Sequence, residues 1–265
     1  ANNCYSGKDS LEVILADTEK QIFNLLESRA SGDFVPIRQV ALNVLDKIEQ
    51  ATRSKSTVTG LPTGFIDLDY RMSGLQPSDL ILIAARPSMG KTAFVLNITD
   101  YIAVRRQKTC LIFSLEMSSL QMLNRVLAGM TDVNPDHLRI NKPTGRELGQ
   151  LEEAALRLKD LPFYLDYTVG ATVEQIRAKV LLQCRLGKCD LVVVDYLHLL
   201  GGNRRKGETQ EQMVGRNVRA LKQLALDSNC PVLTVSQMNR ACEARADKAY
   251  LPVMSDLRDS GTIEQ

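Results

Sequence analysis

The sequence has no tryptophan, and aromatic residues make up only 5% of its 265 positions. Recognition of nucleic acid by stacking bases on aromatic rings is therefore poorly supplied. Histidine is scarcer still, with only His137 and His198, and none of the six cysteines (positions 4, 110, 184, 189, 230 and 242) falls in a C-x-x-C pair. That excludes the common zinc patterns and reads as reduced thiols in a cytoplasmic protein, with Cys110 and Cys230 bordering apolar strands. Charge of one sign is also lacking: 33 Lys+Arg against 31 Asp+Glu leave +2. A disordered tail, a collagen-like chain and a supercharged nucleic-acid arm are excluded. No apolar run approaches the roughly 20 residues that span a bilayer, the longest being strand-sized, such as Leu80–Ala85 and Leu191–Val194. Ala1 to Ser10 are polar with no apolar core, so no signal peptide is expected. A chain that does not start with Met reads as a fragment or a processed piece.

What is present is an ordinary globular composition, 44% apolar and 24% charged, long enough for one large α/β domain with a small appendage. Asp9–Arg29 has apolar residues at helical spacing, with Asp9 and Glu12 as a capping pair and Gly32 as a stop. A second helix is expected from Ile37 to about Arg53, and the polar stretch Arg53–Thr59 reads as a linker. From Gly60 short β-branched runs alternate with amphipathic helices. Strands are expected at Leu80–Ala84, Cys110–Ser114, Phe163–Leu165, Leu191–Asp195 and Val232–Ser236. Helices are expected at Lys91–Arg106, Ser118–Met130, Arg146–Lys159, Val173–Leu186 and Glu211–Asp227. This alternation predicts a mainly parallel sheet covered by helices on both faces, with ligands at the C-terminal ends of the strands.

Ala85-Arg86-Pro87-Ser88-Met89-Gly90-Lys91-Thr92 follows the first of these strands and opens a helix, and Arg86 to Ala93 are expected to bind the nucleotide. It is a Walker A loop with Ala in place of the first Gly. A tight turn aims backbone N–H groups at phosphate oxygens, Gly90 permits close approach, Lys91 neutralises the β- and γ-phosphates, and Thr92 offers a hydroxyl to Mg²⁺. Leu191–Asp195 is an apolar strand ending in an acid, the Walker B pattern, which places Asp195 opposite Thr92 as a second Mg²⁺ holder. Glu116 follows the strand Cys110–Ser114. It reads equally as a base for the attacking water and as an acid opening a helix. Gln237, at another strand end, reads from spacing alone as a surface glutamine.

In this order, Thr59-Gly60-Leu61-Pro62-Thr63-Gly64-Phe65, the Ala-Arg-Pro form of the phosphate loop, Ser114-Leu115-Glu116-Met117-Ser118, Asp195-Tyr196-Leu197, Ser236-Gln237 and Ser255-Asp256-Leu257-Arg258-Asp259-Ser260-Gly261 resemble the C-terminal motor domain of the bacterial replicative helicases, the DnaB family. The resemblance covers nearly the whole chain. It implies a RecA-like P-loop fold over residues 57–265, preceded by a helical linker region at 1–56 whose first helix, about 9–31, docks on a neighbouring subunit. It further implies a homo-hexameric ring around single-stranded DNA, ATP with Mg²⁺ between subunits, 5′-to-3′ movement, and primase and a helicase loader as partners of the full-length protein. By the same resemblance Glu116 is the catalytic glutamate, Asp195 the Walker B acid and Gln237 the γ-phosphate sensor. Arg258, Asp259 and Gly261 follow the DNA backbone, with Asp259 standing where the family usually has Glu. Family members continue past the point where this chain stops, with further strands and an arginine finger, so the isolated chain is expected to bind ATP and hydrolyse it poorly.

The near-zero charge is compatible with this reading. Residues 203–222 hold six bases and two acids, whereas the stretch containing Arg258 is close to neutral. A ring repeats one or two phosphate contacts per subunit and needs no large basic excess. Two rivals share the nucleotide site: a RecA-like recombinase, and a ring subunit that binds nucleotide without turning it over.

Overall fold

Five short apolar runs build the centre of the molecule, and burial on both faces explains why each reads as nearly continuous in apolar residues. The computed structural model describes residues 36–53, 58–201 and 207–238. The chain divides into two compact units, Ala1–Ser56 and Thr57–Gln265. In the first unit, helix α1 spans Ile37–Arg53. The helix expected at Asp9–Arg29, the basic run Arg204–Lys206 and the Arg258–Gly261 loop lie outside the described residues.

In the second unit the strands are β1 (Leu80–Ala85), β2 (Cys110–Ser114), β3 (Phe163–Asp166), β4 (Leu191–Asp195) and β5 (Val232–Gln237). They form one sheet in the order β1-β5-β4-β2-β3, and every pairing is parallel. All five lie where the alternation of strands and helices predicts them, and each boundary agrees to within a residue. Successive side chains point to opposite faces. Leu111, Phe113, Val192, Val194 and Val232 join the core on one face. Cys110, Ile112, Leu191, Val193, Leu233 and Val235 join the core on the other. β2 and β4 are buried along their whole length.

The helices are α2 (Ile66–Met72), α3 (Lys91–Asp100, continued by a π turn at Tyr101–Arg105), α4 (Ser119–Met130), α5 (Pro135–Arg139), α6 (Gly145–Leu158), α7 (Val173–Arg185) and α8 (Gln210–Ser228). A short 3₁₀ turn, Leu197–Leu199, follows β4. The sequence pattern misses α2 and α5, each too short to show a period. Helix α2 exists because the buried Asp69 carboxylate accepts hydrogen bonds from the Thr63 N–H and hydroxyl at 2.7 and 2.8 Å and from the Gly64 N–H at 3.2 Å. Helix α5 starts on an Asn134 cap with Pro135 in its first turn.

Among the described residues, four helices begin with reciprocal capping boxes: Ser118 with Gln121, Thr144 with Glu147, Thr172 with Gln175 and Thr209 with Gln212. Helix α3 has none. Its cap is Gly90, in the left-handed region at φ 81°, and no side chain caps its first turn. Those donors remain available to an outside acceptor.

Candidate nucleotide-binding site

The parallel sheet delivers the candidate side chains to one edge because β1, β2, β4 and β5 all end there. Ala84 pairs with Ser236 and Ala85 with Gln237, so the phosphate loop leaves β1 beside the end of β5. The Met238 N–H donates to the Ala85 carbonyl at 3.1 Å, extending that contact one residue further. On the other side Ser114 pairs with Asp195, and the Leu115 N–H donates to the Asp195 carbonyl at 2.7 Å. Glu116 therefore emerges next to the end of β4.

The loop itself is a tight turn. The Met89 N–H donates to the Arg86 carbonyl at 3.3 Å, Ser88 sits at φ 64°, and the Phe94 N–H closes the first helical bond on the Gly90 carbonyl at 2.9 Å. An added Cβ at Gly90 would meet nothing within 4 Å, so the backbone conformation is what calls for glycine there.

A cavity of about 580 Å³ opens over this loop. It is lined by Pro87, Ser88, Gly90, Lys91, Thr92, Glu116, Met117, Gln121, Arg125 and Gln237. The fold thus brings Lys91 and Thr92 together with Glu116 and Gln237, which come from three different strand ends. Glu116 lies in a bend between β2 and the Ser118 cap, with its side chain exposed, so it stands ahead of α4 and forms no part of that helix. The remaining sequence-selected residues lie around the cavity. Met89 is 73% exposed, Arg86 continues directly from β1, and Ala93 lines an adjoining apolar cavity of about 550 Å³ between α3, α4 and α5.

Asp195 sits beneath the loop, only 3% exposed. Burial pushes its carboxyl above the usual range. The Thr92 hydroxyl, Lys91 and Arg125 act in the opposite direction, and Glu116 adds to the rise. Its Oδ2 is buried without a hydrogen-bond partner. Lys91 is held low by burial, against the pull of Asp195 and Glu116. Its Nζ donates to the Ser236 carbonyl at 3.2 Å and lies 5.8 Å from the centre of the Tyr196 ring. The cluster offers unsatisfied backbone donors, an ammonium group and a carboxylate oxygen without a partner. These suit a phosphate chain and a hard cation bound by oxygens.

Sequence reasoning missed Arg125. It lies nine positions past Glu116 on an ordinary amphipathic helix, and only the packing of α4 beside α3 turns it towards the cavity. Gln121, one turn earlier, arrives there by the same route. Nothing in the spacing marks either residue.

Comparisons with known proteins bear on the family and the fold. The model of the DnaB-like helicase C-terminal domain matches residues 60–265. The replicative DNA helicase DnaB of Geobacillus stearothermophilus is 39% identical over 265 residues, covering all of this chain and 58% of its own length. The replicative DNA helicase DnaC of Bacillus subtilis is 38% identical over the same span and share. The chain thus spans a little over half the length of these curated relatives. Among solved structures, an isolated ATPase domain superposes with a TM-score of 0.80 at 29% identity, over 88% of this chain and 81% of its own. A DnaB-like replicative helicase described with its interactions with primase gives 0.75 at 29% identity, over 93% and 59%. The five-stranded parallel sheet is the RecA-like α/β fold of these ATPase domains. The chain belongs to the DnaB-like helicase C-terminal domain family.

Proposed function

We propose that this chain is the motor of a replicative DNA helicase, in which ATP hydrolysis drives 5′-to-3′ movement on single-stranded DNA and separation of the duplex. The observation that carries this reading is the convergence of Lys91, Thr92, Glu116 and Gln237 on one cavity, with the buried Asp195 beneath it. In this reading residues 86–93 cradle the phosphates at the open N-terminus of α3, and Lys91 moves from the Ser236 carbonyl to the β- and γ-phosphates. Thr92 and Asp195 hold Mg²⁺, whose charge offsets that of the phosphates. The partnerless Oδ2 of Asp195 supports that assignment. Glu116 accepts a proton from the attacking water. Gln237 meets the γ-phosphate from the end of β5, where its loss can be relayed to the chain beyond. Arg125 adds a second positive charge across the cavity from Lys91.

The DNA contacts fall to Arg258, Asp259 and Gly261, and the working form is a homo-hexameric ring joined through the linker helix, residues about 9–31. In the full-length protein primase and a loader are the further partners. The solved DnaB-like helicase described with its interactions with primase supports the primase contact. We place the protein in the cytoplasm. Among the described residues no helix is long and apolar enough to cross a membrane.

Turnover of ATP by the full-length protein, measured with and without single-stranded DNA and followed by unwinding of a forked duplex, tests the reading. DNA-stimulated turnover with unwinding supports it. Strand exchange without unwinding would transfer the site to a recombinase, and nucleotide binding without turnover would make it a structural ligand site.

A further inference from the structure

At the opposite, N-terminal edge of the sheet, away from the nucleotide cavity, Cys110 opens β2 and three further thiols gather. Cys189 stands two residues before β4, and Cys230 two residues before β5. Although 41 positions separate them, the Cys189 S–H donates to the Cys230 Sγ at 3.6 Å. A third thiol, Cys184 near the end of α7, hydrogen-bonds Cys189. Cys230 is buried, whereas Cys184 and Cys189 are half-buried. All three are free thiols.

We infer that Cys189 and Cys230 form an oxidation site that takes a hydroperoxide as co-substrate and closes into an intramolecular disulfide. The geometry comes from the strands. β4 and β5 are paired neighbours, with Val192 opposite Val232, so Cys189 and Cys230 precede them one position out of register and meet through their side chains. The sulfurs need to approach by only about 1.5 Å to reach bonding distance.

The steps balance. The half-buried Cys189 sulfur attacks the terminal oxygen of the hydroperoxide, so an S–O bond forms and the O–O bond breaks. The alkoxide or hydroxide released takes the thiol proton. The Cys230 sulfur then attacks the Cys189 sulfenic acid, so the S–S bond forms and the S–OH bond breaks. Hydroxide leaves with the Cys230 proton as water. Two thiols and one hydroperoxide give one disulfide, one alcohol or water, and one water. Burial pushes the Cys184 thiol up to about 12, and the hydrogen bond with Cys230 together with burial pushes Cys189 higher still. Both are protonated at neutral pH, so the first step is slow.

The test is hydrogen peroxide treatment of the full chain, followed by denaturation, alkylation and peptide mapping by mass spectrometry. The expected result is a cross-linked peptide joining Cys189 to Cys230, two hydrogens lighter than the sum of its parts and restored by dithiothreitol. The six alkylatable thiols should fall to four, and the chain should remain a single species on non-reducing gels. Cys184→Ser should leave the cross-link intact, and Cys230→Ser should abolish it. The inference is overturned if both cysteines stay fully alkylatable. A peroxide product that links Cys189 to Cys184, or that stops at sulfinic acid without a cross-link, overturns it equally. The mapping on the unmodified chain stands even if a variant fails to fold.

Discussion

Asp195→Asn is the perturbation in which stability and function should move in opposite directions. The carboxylate is 3% exposed at the end of a fully buried strand, and its Oδ2 has no hydrogen-bond partner. Burying such a charge costs free energy unless something binds it. Asparagine has the same shape, so the exchange leaves no cavity in a core lined by Val194 and Leu197. It removes the buried charge and its repulsion from Glu116, and gives up the attraction of Lys91 and Arg125. Stabilising single substitutions commonly return about 0.5–2 kcal/mol, and a gain in that range is expected here. Without nucleotide the variant should therefore unfold at higher urea than the parent.

With magnesium and ATP the order should reverse. A ligand at about 100 times its dissociation constant stabilises the native state by about 2.7 kcal/mol. In this reading the magnesium-dependent share of that gain passes through Asp195. Because the chain has no tryptophan, unfolding is followed by far-ultraviolet circular dichroism, with and without magnesium and ATP. The reasoning is refuted if the variant is no more stable than the parent without nucleotide. It is refuted also if the variant keeps the full magnesium-dependent gain.

Glu116→Gln in the full-length protein should keep nucleotide binding while steady-state turnover falls by about 10²–10⁴-fold; unchanged turnover would remove Glu116 from the mechanism. Gly64→Ala should destabilise the fold by about 2–5 kcal/mol in urea titration, because Gly64 sits at φ 88° and a Cβ would stand 2.6 Å from the Tyr101 ring. Adding Tyr101→Ala should relieve the steric part and leave the backbone strain. Glu147 caps α6 and holds the His137 ring at 2.9 Å, and these hydrogen bonds bring its carboxyl down from 4.5 to about 2. A lowered carboxyl contributes stability above its unfolded value and loses it as pH falls. Glu147→Gln should therefore be less stable than the parent at neutral pH, with the difference shrinking between pH 4.5 and about 2. A pH-independent difference would assign the effect to shape alone.

The elements and the phosphate loop are written in the local sequence. Short β-branched runs separated by amphipathic stretches leave little choice but parallel strands with helical crossovers. The residues expected to cradle phosphate, Ala85–Thr92, are consecutive, so that expectation can be read from one local stretch. Short elements were not legible: α2 depends on a buried Asp69 carboxylate and α5 on a single capped turn, and neither leaves a periodic trace. Glu116 shows the boundary most clearly. Its spacing served a helix start as well as a water-activating base. The Ser114–Asp195 pairing and the Ser118 cap put it in a bend lining the cavity of Lys91.

The meetings between distant parts of the chain arise only in the folded sheet. The strand order β1-β5-β4-β2-β3 sets Gln237 against Ala85, turns Arg125 towards the phosphate loop and brings the Cys189 sulfur within 3.6 Å of that of Cys230. Local sequence encodes which side chains leave a strand or a helix, and in which direction. Which strands become neighbours is settled by the packing of two apolar faces at once. That is a property of the whole sheet, and no window of the sequence contains it.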